Sequence, residues 1–225
     1  MAKIALLGAG GKMGVRLSAN LKGSRFDVDH VEISEAGRAR LKRELGVECV
    51  EPGQAISSAD AVIMAVPDRL IGKVLKSFVT SLRPGARVIM LDAAAPNAGE
   101  LPEREDITYF VTHPCHPPLF NDETDPKART DFFGGVSAKQ HIVCALMQGP
   151  ESHYAECEEI AREMYKPVMR ACAPIGAPSS SSRFSSRRFP KRWGRRSRWR
   201  SARPPTRPFG AAFRNRRRST SSLAT

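Results

Sequence analysis

No acidic residue occurs between 171 and 225, yet that stretch carries 15 of the 36 Lys and Arg residues; all 23 Asp and Glu residues precede it, beside 21 basic ones. The net charge of +13 therefore belongs wholly to the last 55 residues. A basic balance ordinarily points to nucleic acid or an anionic membrane, and here that inference is confined to the tail. Cysteine is sparse and scattered: Cys49, Cys115, Cys144, Cys157 and Cys172 form no CxxC and no framework spacing. That argues against a disulfide scaffold and a structural zinc site. Long hydrophobic runs are missing as well. Ile4 to Leu7 is too short for a signal-peptide core before glycines intervene, and nothing approaches the ~20 apolar residues of a membrane span. The expectation is a soluble cytoplasmic protein with no membrane partner. Internal repeats are absent too.

What is present is alternation. Short apolar runs at Ile4–Leu7, Val28–Ile33, Ala61–Val66, Arg87–Leu91, Thr108–Val111 and His141–Met147 are separated by helix-period segments at Met13–Leu21, Glu35–Leu45, Leu70–Ser81 and Glu151–Tyr165. Buried strands alternating with helices predict an α/β fold with a parallel, doubly wound sheet. This folded domain is expected to span 1–170.

Directly after the first run comes Gly8-Ala9-Gly10-Gly11-Lys12-Met13-Gly14, opening the first helix. Glycines in this place permit a tight turn and let backbone N–H groups reach a pyrophosphate at the positive end of the helix. Met13 holds the third position of a GxGxxG, with Gly14 next to it, so the motif reads equally as GxxGxxG. Strand, glycines and helix in that order predict a Rossmann-type dinucleotide site. Glu32, 24 positions after Gly8, falls where an acid can accept both hydroxyls of the adenosine ribose and repel a 2′-phosphate. NAD is therefore expected, although Ser34 and Arg38 nearby leave NADP possible. Val66-Pro67 and Asp92 follow later strands, at the carboxyl ends where open α/β sheets bind ligands.

Thr112-His113-Pro114-Cys115-His116-Pro117-Pro118-Leu119-Phe120-Asn121-Asp122 follows the run Thr108–Val111. Two histidines in a proline-stiffened loop beside a nicotinamide suit a general base for a substrate hydroxyl, because imidazole titrates near working pH. His113 is the preferred base, with His116 the other candidate and Asn121 a substrate holder. His113, Cys115 and His116 also carry metal-capable atoms but lack a zinc spacing, so no metal is expected.

The segments KIALLGAGGKMG, ADAVIMAVPD, VIMLDAAAP and THPCHPPLFND together resemble the NAD(P)-dependent β-hydroxyacid and 6-phosphogluconate dehydrogenase-like oxidoreductases. More narrowly they look like the bacterial sugar-acid subgroup that includes the D-apionate oxidoisomerases. The glycine loop alone is also similar to that of dihydrodipicolinate reductases, so the later segments carry the resemblance. It covers about residues 1–170 and implies oxidation of a secondary hydroxyl on a sugar acid or hydroxyacid by a homodimer. Prephenate dehydrogenases have a comparable His-Pro after a late strand, which implies that His113 stands near the reacting hydroxyl. The family continues into an all-helical second domain that completes the pocket, and the sequence from about 171 has no helical pattern to match it.

Residues 171–225 hold 11 Ser, 6 Pro and 15 basic residues, with Ile175 and Leu223 alone from the Ile/Leu/Val set. Such a composition cannot bury a core, and a disordered tail is expected. One reading of it is out-of-frame translation: codons permitted for Ser182–Arg192 yield, two bases later, AILEPALSET, a peptide rich in helix formers. A truncated and inactive cofactor-binding remnant is the corollary. The other reading is a basic arm in which Arg neutralises phosphates while Phe184, Phe189, Trp193 and Trp199 stack on bases.

Overall fold

A computed structural model of the chain describes residues 2–117, 124–131 and 136–173. Asn121 and the tail from 174 onward lie outside the described residues, together with the readings placed on them.

Among the described residues, seven strands form one sheet in the order β2-β1-β3-β4-β5-β6-β7. They are β1 Lys3–Leu7, β2 Asp27–Val31, β3 Ala61–Met64, β4 Arg87–Met90, β5 Thr108–Cys115, β6 Gln140–Gln148 and β7 Val168–Cys172. The first five are mutually parallel. Seven α-helices accompany them among the described residues: α1 Lys12–Leu21, α2 Glu35–Leu45, α3 Pro52–Ser58, α4 Asp68–Phe78, α5 Ala94–Ala98, α6 Pro126–Thr130 and α7 Ser152–Met164.

Alternation along each strand divides the core. Ile4, Leu6, Ile63, Ile89 and Phe110 face α1 and α7, joined by Leu17, Leu21, Ile160 and Met164. Ala5, Leu7, Val62, Met64, Val88, Met90 and Tyr109 face the other way, onto Ile56 of α3, Ile71 and Leu75 of α4 and Ala95 of α5. Both faces of the central strands are therefore buried, which is why they read as unbroken apolar runs. Phe110 meets Tyr154 of α7 edge to face, 5.6 Å between ring centres, a favoured aromatic geometry.

The α/β expectation holds, with three corrections. First, β6 runs antiparallel to β5 and β7 follows β6, so the sheet is mostly rather than wholly parallel. An apolar run carries no information about direction. Second, β5 continues through the proposed histidine loop to Cys115. Beyond Val111 its β4 edge is unpaired, since β4 ends at Met90 opposite Val111, while β6 supplies partners as far as the Cys115–His141 pair. A free edge is where a strand tolerates a proline, and Pro114 occupies it. Third, β7, α3, α5 and α6 had no counterpart in the sequence reading. The three helices span 5 to 7 residues, too few to show a helical period. The last strand carries the sheet to Cys172, two residues past the expected boundary.

Candidate nucleotide and substrate site

The strand order reverses between β1 and β3. β1 leads by way of α1 to β2 on one side, while β3 and its successors build outward on the other. The chain leaves the paired carboxyl ends of β1 and β3 toward opposite faces of the sheet, to α1 and α4 respectively, as at the ligand crevice of open α/β sheets.

The glycine loop fills this place. Gly8 adopts φ +76°, a conformation open to glycine. A methyl group on it would also lie 2.5 Å from the Ala65 carbonyl oxygen after β3. The backbone N–H groups of Gly8 and Ala9 both donate to the Val31 carbonyl at the end of β2, at 2.9 and 3.1 Å. Gly11 is the N-cap of α1, and no side chain caps that helix or adds an acid to its first turn. The orphan N–H groups of the first turn thus face an open, positive helix end. A Cβ on Gly11 would have Gly8 O at 3.3 Å and Ala65 O at 4.0 Å as its neighbours. Gly14, not Met13, makes the close approach of α1 to the glycine loop, since a Cβ on it would strike Gly8 O and come within 2.6 Å of Ala9 C and O. Met13 is half-buried against the α1 side of the core, and Lys12 is exposed.

Glu32 closes this region and is only 9% exposed. Its Oε2 accepts the Gly10 N–H at 2.9 Å and its Oε1 accepts the Ser34 N–H at 2.9 Å. Arg38 Nε donates to the Glu32 backbone carbonyl at 2.6 Å. Ile33, the next residue, is 84% exposed, and Leu70 on α4 is also exposed. Val66 is half-buried and Pro67 exposed at the start of α4.

The second group of predicted residues gathers where β5 passes the end of β4. His113 Nδ1 stands 2.9 Å from the Leu91 carbonyl oxygen and 3.7 Å from Asp92 Oδ2. Asp92 Oδ1 accepts the Ala94 N–H at 2.7 Å, setting the start of α5. A carbonyl can only accept, so Nδ1 carries the proton of the neutral imidazole and Nε2 is left as the basic nitrogen. His116 is exposed just past the strand. Among the described residues, no three His, Cys, Asp or Glu side chains converge as metal ligands.

Sequence reasoning missed Gly37. A Cβ on it would lie 2.7 Å from Glu32 Cγ and 2.8 Å from Cδ, and a Cβ on Gly10 would lie 2.5 Å from Gly37 Cα. A glycine in the first turn of an otherwise strong helix was the available signal.

Residues 1–117 match the family model described as acetohydroxy acid isomeroreductase, NADPH-binding domain, and residues 121–173 match the model described as phosphogluconate dehydrogenase (decarboxylating) C-term. The D-apionate oxidoisomerase of Rhizobium rhizogenes is 64% identical over 171 residues, covering 76% of this chain and 62% of that enzyme. A crystal structure described as a semialdehyde dehydrogenase NAD-binding protein from Cupriavidus necator, in complex with calcium and NAD, is 57% identical. It superposes with a TM-score of 0.75 over 77% of this chain and 63% of the other. An oxidoreductase structure from Jannaschia sp. is 52% identical with a TM-score of 0.73, covering 77% of this chain and 62% of that one. This chain thus spans about three fifths of the length of the relatives it matches.

Proposed function

The chain belongs to the 6-phosphogluconate dehydrogenase-like NAD(P)-dependent oxidoreductases, and on that premise we propose that its described part is the nucleotide-binding half of an enzyme oxidising a secondary hydroxyl of a sugar acid with NAD. One observation carries this reading: the glycine loop after β1, Glu32 after β2 and His113 on β5 all stand at the carboxyl ends of the parallel strands, the first two beside the switch in strand order and His113 past the end of β4. Identity of 64% to a D-apionate oxidoisomerase supports a sugar acid of that kind as the substrate.

The residues suit the nucleotide. The uncapped first turn of α1 would receive the pyrophosphate, with Gly10, Gly11, Lys12, Met13 and Gly14 around it. Glu32 uses one lone pair on each oxygen for a backbone N–H, and a carboxylate offers about four acceptor sites. Both oxygens therefore keep capacity for the two ribose hydroxyls. Ile33 and Leu70 would cover the adenine, while Val66 and Pro67 would line the ribose next to it. NADP is disfavoured by the Glu32 charge, although Arg38 lies close enough to pair with a phosphate were that charge moved.

Bound NAD would supply the hydride acceptor. His113 Nε2 takes the hydroxyl proton as the carbinol C–H leaves with its electron pair. Asp92 and the Leu91 carbonyl hold the imidazole in the required tautomer and stabilise its protonated form. The other expected participants, His116 and Asn121, belong to this reading as substrate-binding groups on the segment after β5. The same reading puts the protein in the cytoplasm as a homodimer. Its five thiols are free, as a reducing compartment would keep them. Among the described residues, no helix is long and apolar enough to cross a membrane.

Following NADH formation by the full chain with NAD and D-apionate tests the proposal. Turnover supports it. Failure to bind NAD contradicts it.

A further inference from the structure

We propose that Gly37, on the first turn of α2, sets the preference for NAD over NADP by giving Glu32 room to fold back against the glycine loop. The inference rests on the reading of residues 8–14 as a nucleotide loop and adds a residue that touches no part of the nucleotide itself.

The geometry is a three-layer contact. Gly10 and Gly37 meet backbone to backbone, so close that a methyl group on Gly10 would lie 2.5 Å from Gly37 Cα and 2.7 Å from its carbonyl carbon and oxygen. Across the same gap, a methyl group on Gly37 would lie 2.7 Å from Glu32 Cγ, 2.8 Å from Cδ and 3.1 Å from Oε2. Real carbon contacts do not close to such values, so something must shift. The obstructed atoms are Cγ and the carboxyl carbon Cδ, and neither moves when the carboxylate turns about the bond between them. Rotation of the carboxylate alone therefore does not relieve the clash. The whole side chain has to leave, and with it the bond from Gly10 N–H to Oε2. Gly37 Cα, bare of a side chain, is what holds this bond in place.

The consequence for selectivity follows from charge. Held inward, the carboxylate sits under the ribose position and opposes a 2′-phosphate. Pushed outward, it leaves the already exposed Ser34 and Arg38 without a carboxylate beside them, and Arg pairs well with phosphate. Gly37 is thus a positioning residue. A side chain there should cost NAD affinity and not NADP affinity, whereas plain damage to the loop would weaken both nucleotides alike.

Calorimetric titration of the full chain with NAD and, separately, with NADP tests the inference on four proteins: unaltered, Gly37→Ala, Glu32→Ala, and the double variant. Gly37→Ala is expected to lower the NAD-to-NADP affinity ratio about tenfold or more, the scale of a lost hydrogen bond to a charged group. In the Glu32→Ala background, which has no Cγ or Cδ to strike, the same substitution should leave the ratio unchanged, because the two residues act as one unit. The Glu32→Ala pair keeps the test decisive if Gly37→Ala alone does not fold. Equal weakening of both nucleotides in Gly37→Ala, or a further fall in the ratio when it is added to Glu32→Ala, overturns the inference alone. Failure of the unaltered chain to bind either nucleotide overturns the nucleotide-loop reading, and the inference falls with it.

Discussion

His113 Nδ1 lies 2.9 Å from the carbonyl oxygen of Leu91, the residue that follows β4. That contact fixes which imidazole nitrogen is basic, and it exists because β5 outruns β4 and carries His113 level with the chain leaving the shorter strand. On the proposed function, with D-apionate as the trial substrate, His113→Asn is expected to slow NAD-linked oxidation by about 10²- to 10⁴-fold, the usual worth of a positioned general base, while NAD affinity stays unchanged. Turnover and titration on the same preparation check both halves. Undiminished turnover would assign the base elsewhere.

The glycines separate by what surrounds them. Gly14→Ala drives a methyl group into Gly8 O and the Ala9 backbone, with no flexible side chain to yield. A loss of roughly 2 to 4 kcal/mol is expected, in the range of overpacking with backbone displacement. Gly53, inside α3, has nothing within 4 Å of its Cβ position. Gly53→Ala should therefore stabilise by about 0.5 to 1 kcal/mol. Urea unfolding of the two variants gives opposite shifts of midpoint.

Acid should weaken the fold before most carboxylates titrate. Burial holds the pKa of His30 below its ordinary value, and burial together with the Arg87 charge does the same for His153. In the unfolded chain both protonate near pH 6.5, while the folded chain resists protonation until lower pH. The unfolded state binds more protons in that interval, so the stability these groups lend is complete above about pH 6.5 and declines as pH falls through their folded values. Denaturant midpoints measured from pH 8 to pH 5 should decrease, and His30→Asn should flatten the decrease. An unchanged profile in that variant would assign the effect elsewhere.

Thiol reactivity should follow the sheet. Burial pushes the Cys144 thiol up to about 11 and the Cys157 thiol up to about 12, and both are fully covered by the α7 side of the core. Cys115 and Cys172 are exposed. Alkylation of the native protein, read by peptide mass, is expected at Cys115 and Cys172 while Cys144 and Cys157 stay unmodified until denaturant is added.

How much of this was legible in sequence depended on whether the responsible forces are local. α2 ends where the sequence places it, Glu35–Leu45, because Ser34 accepts the Gly37 N–H at its start and Gly46, at φ +64°, closes its end. The strand β1 and the glycine loop were equally plain, being an apolar run followed by glycines. The direction of β6 and the extension of β5 through Pro114 were not, since both depend on which strand lies alongside. Glu32 was placed correctly at the end of β2, but its bond to Gly10, 22 residues away, is tertiary. Gly37 drew no reading for the same reason: the side chain that requires it comes from another element.

The claim on which the rest depends is that the described domain takes NAD in the crevice between β1 and β3. Calorimetric titration of the full chain with NAD in the presence and absence of the Gly11→Asp substitution addresses it, because an acid at the α1 N-cap sets a negative charge against the pyrophosphate position, with its Cβ in one tight approach, 3.3 Å, to Gly8 O. Binding of NAD by the unaltered chain, lost on Gly11→Asp with the melting temperature retained, is the predicted result. Equal NAD binding by both proteins, or none by the unaltered one, would contradict it.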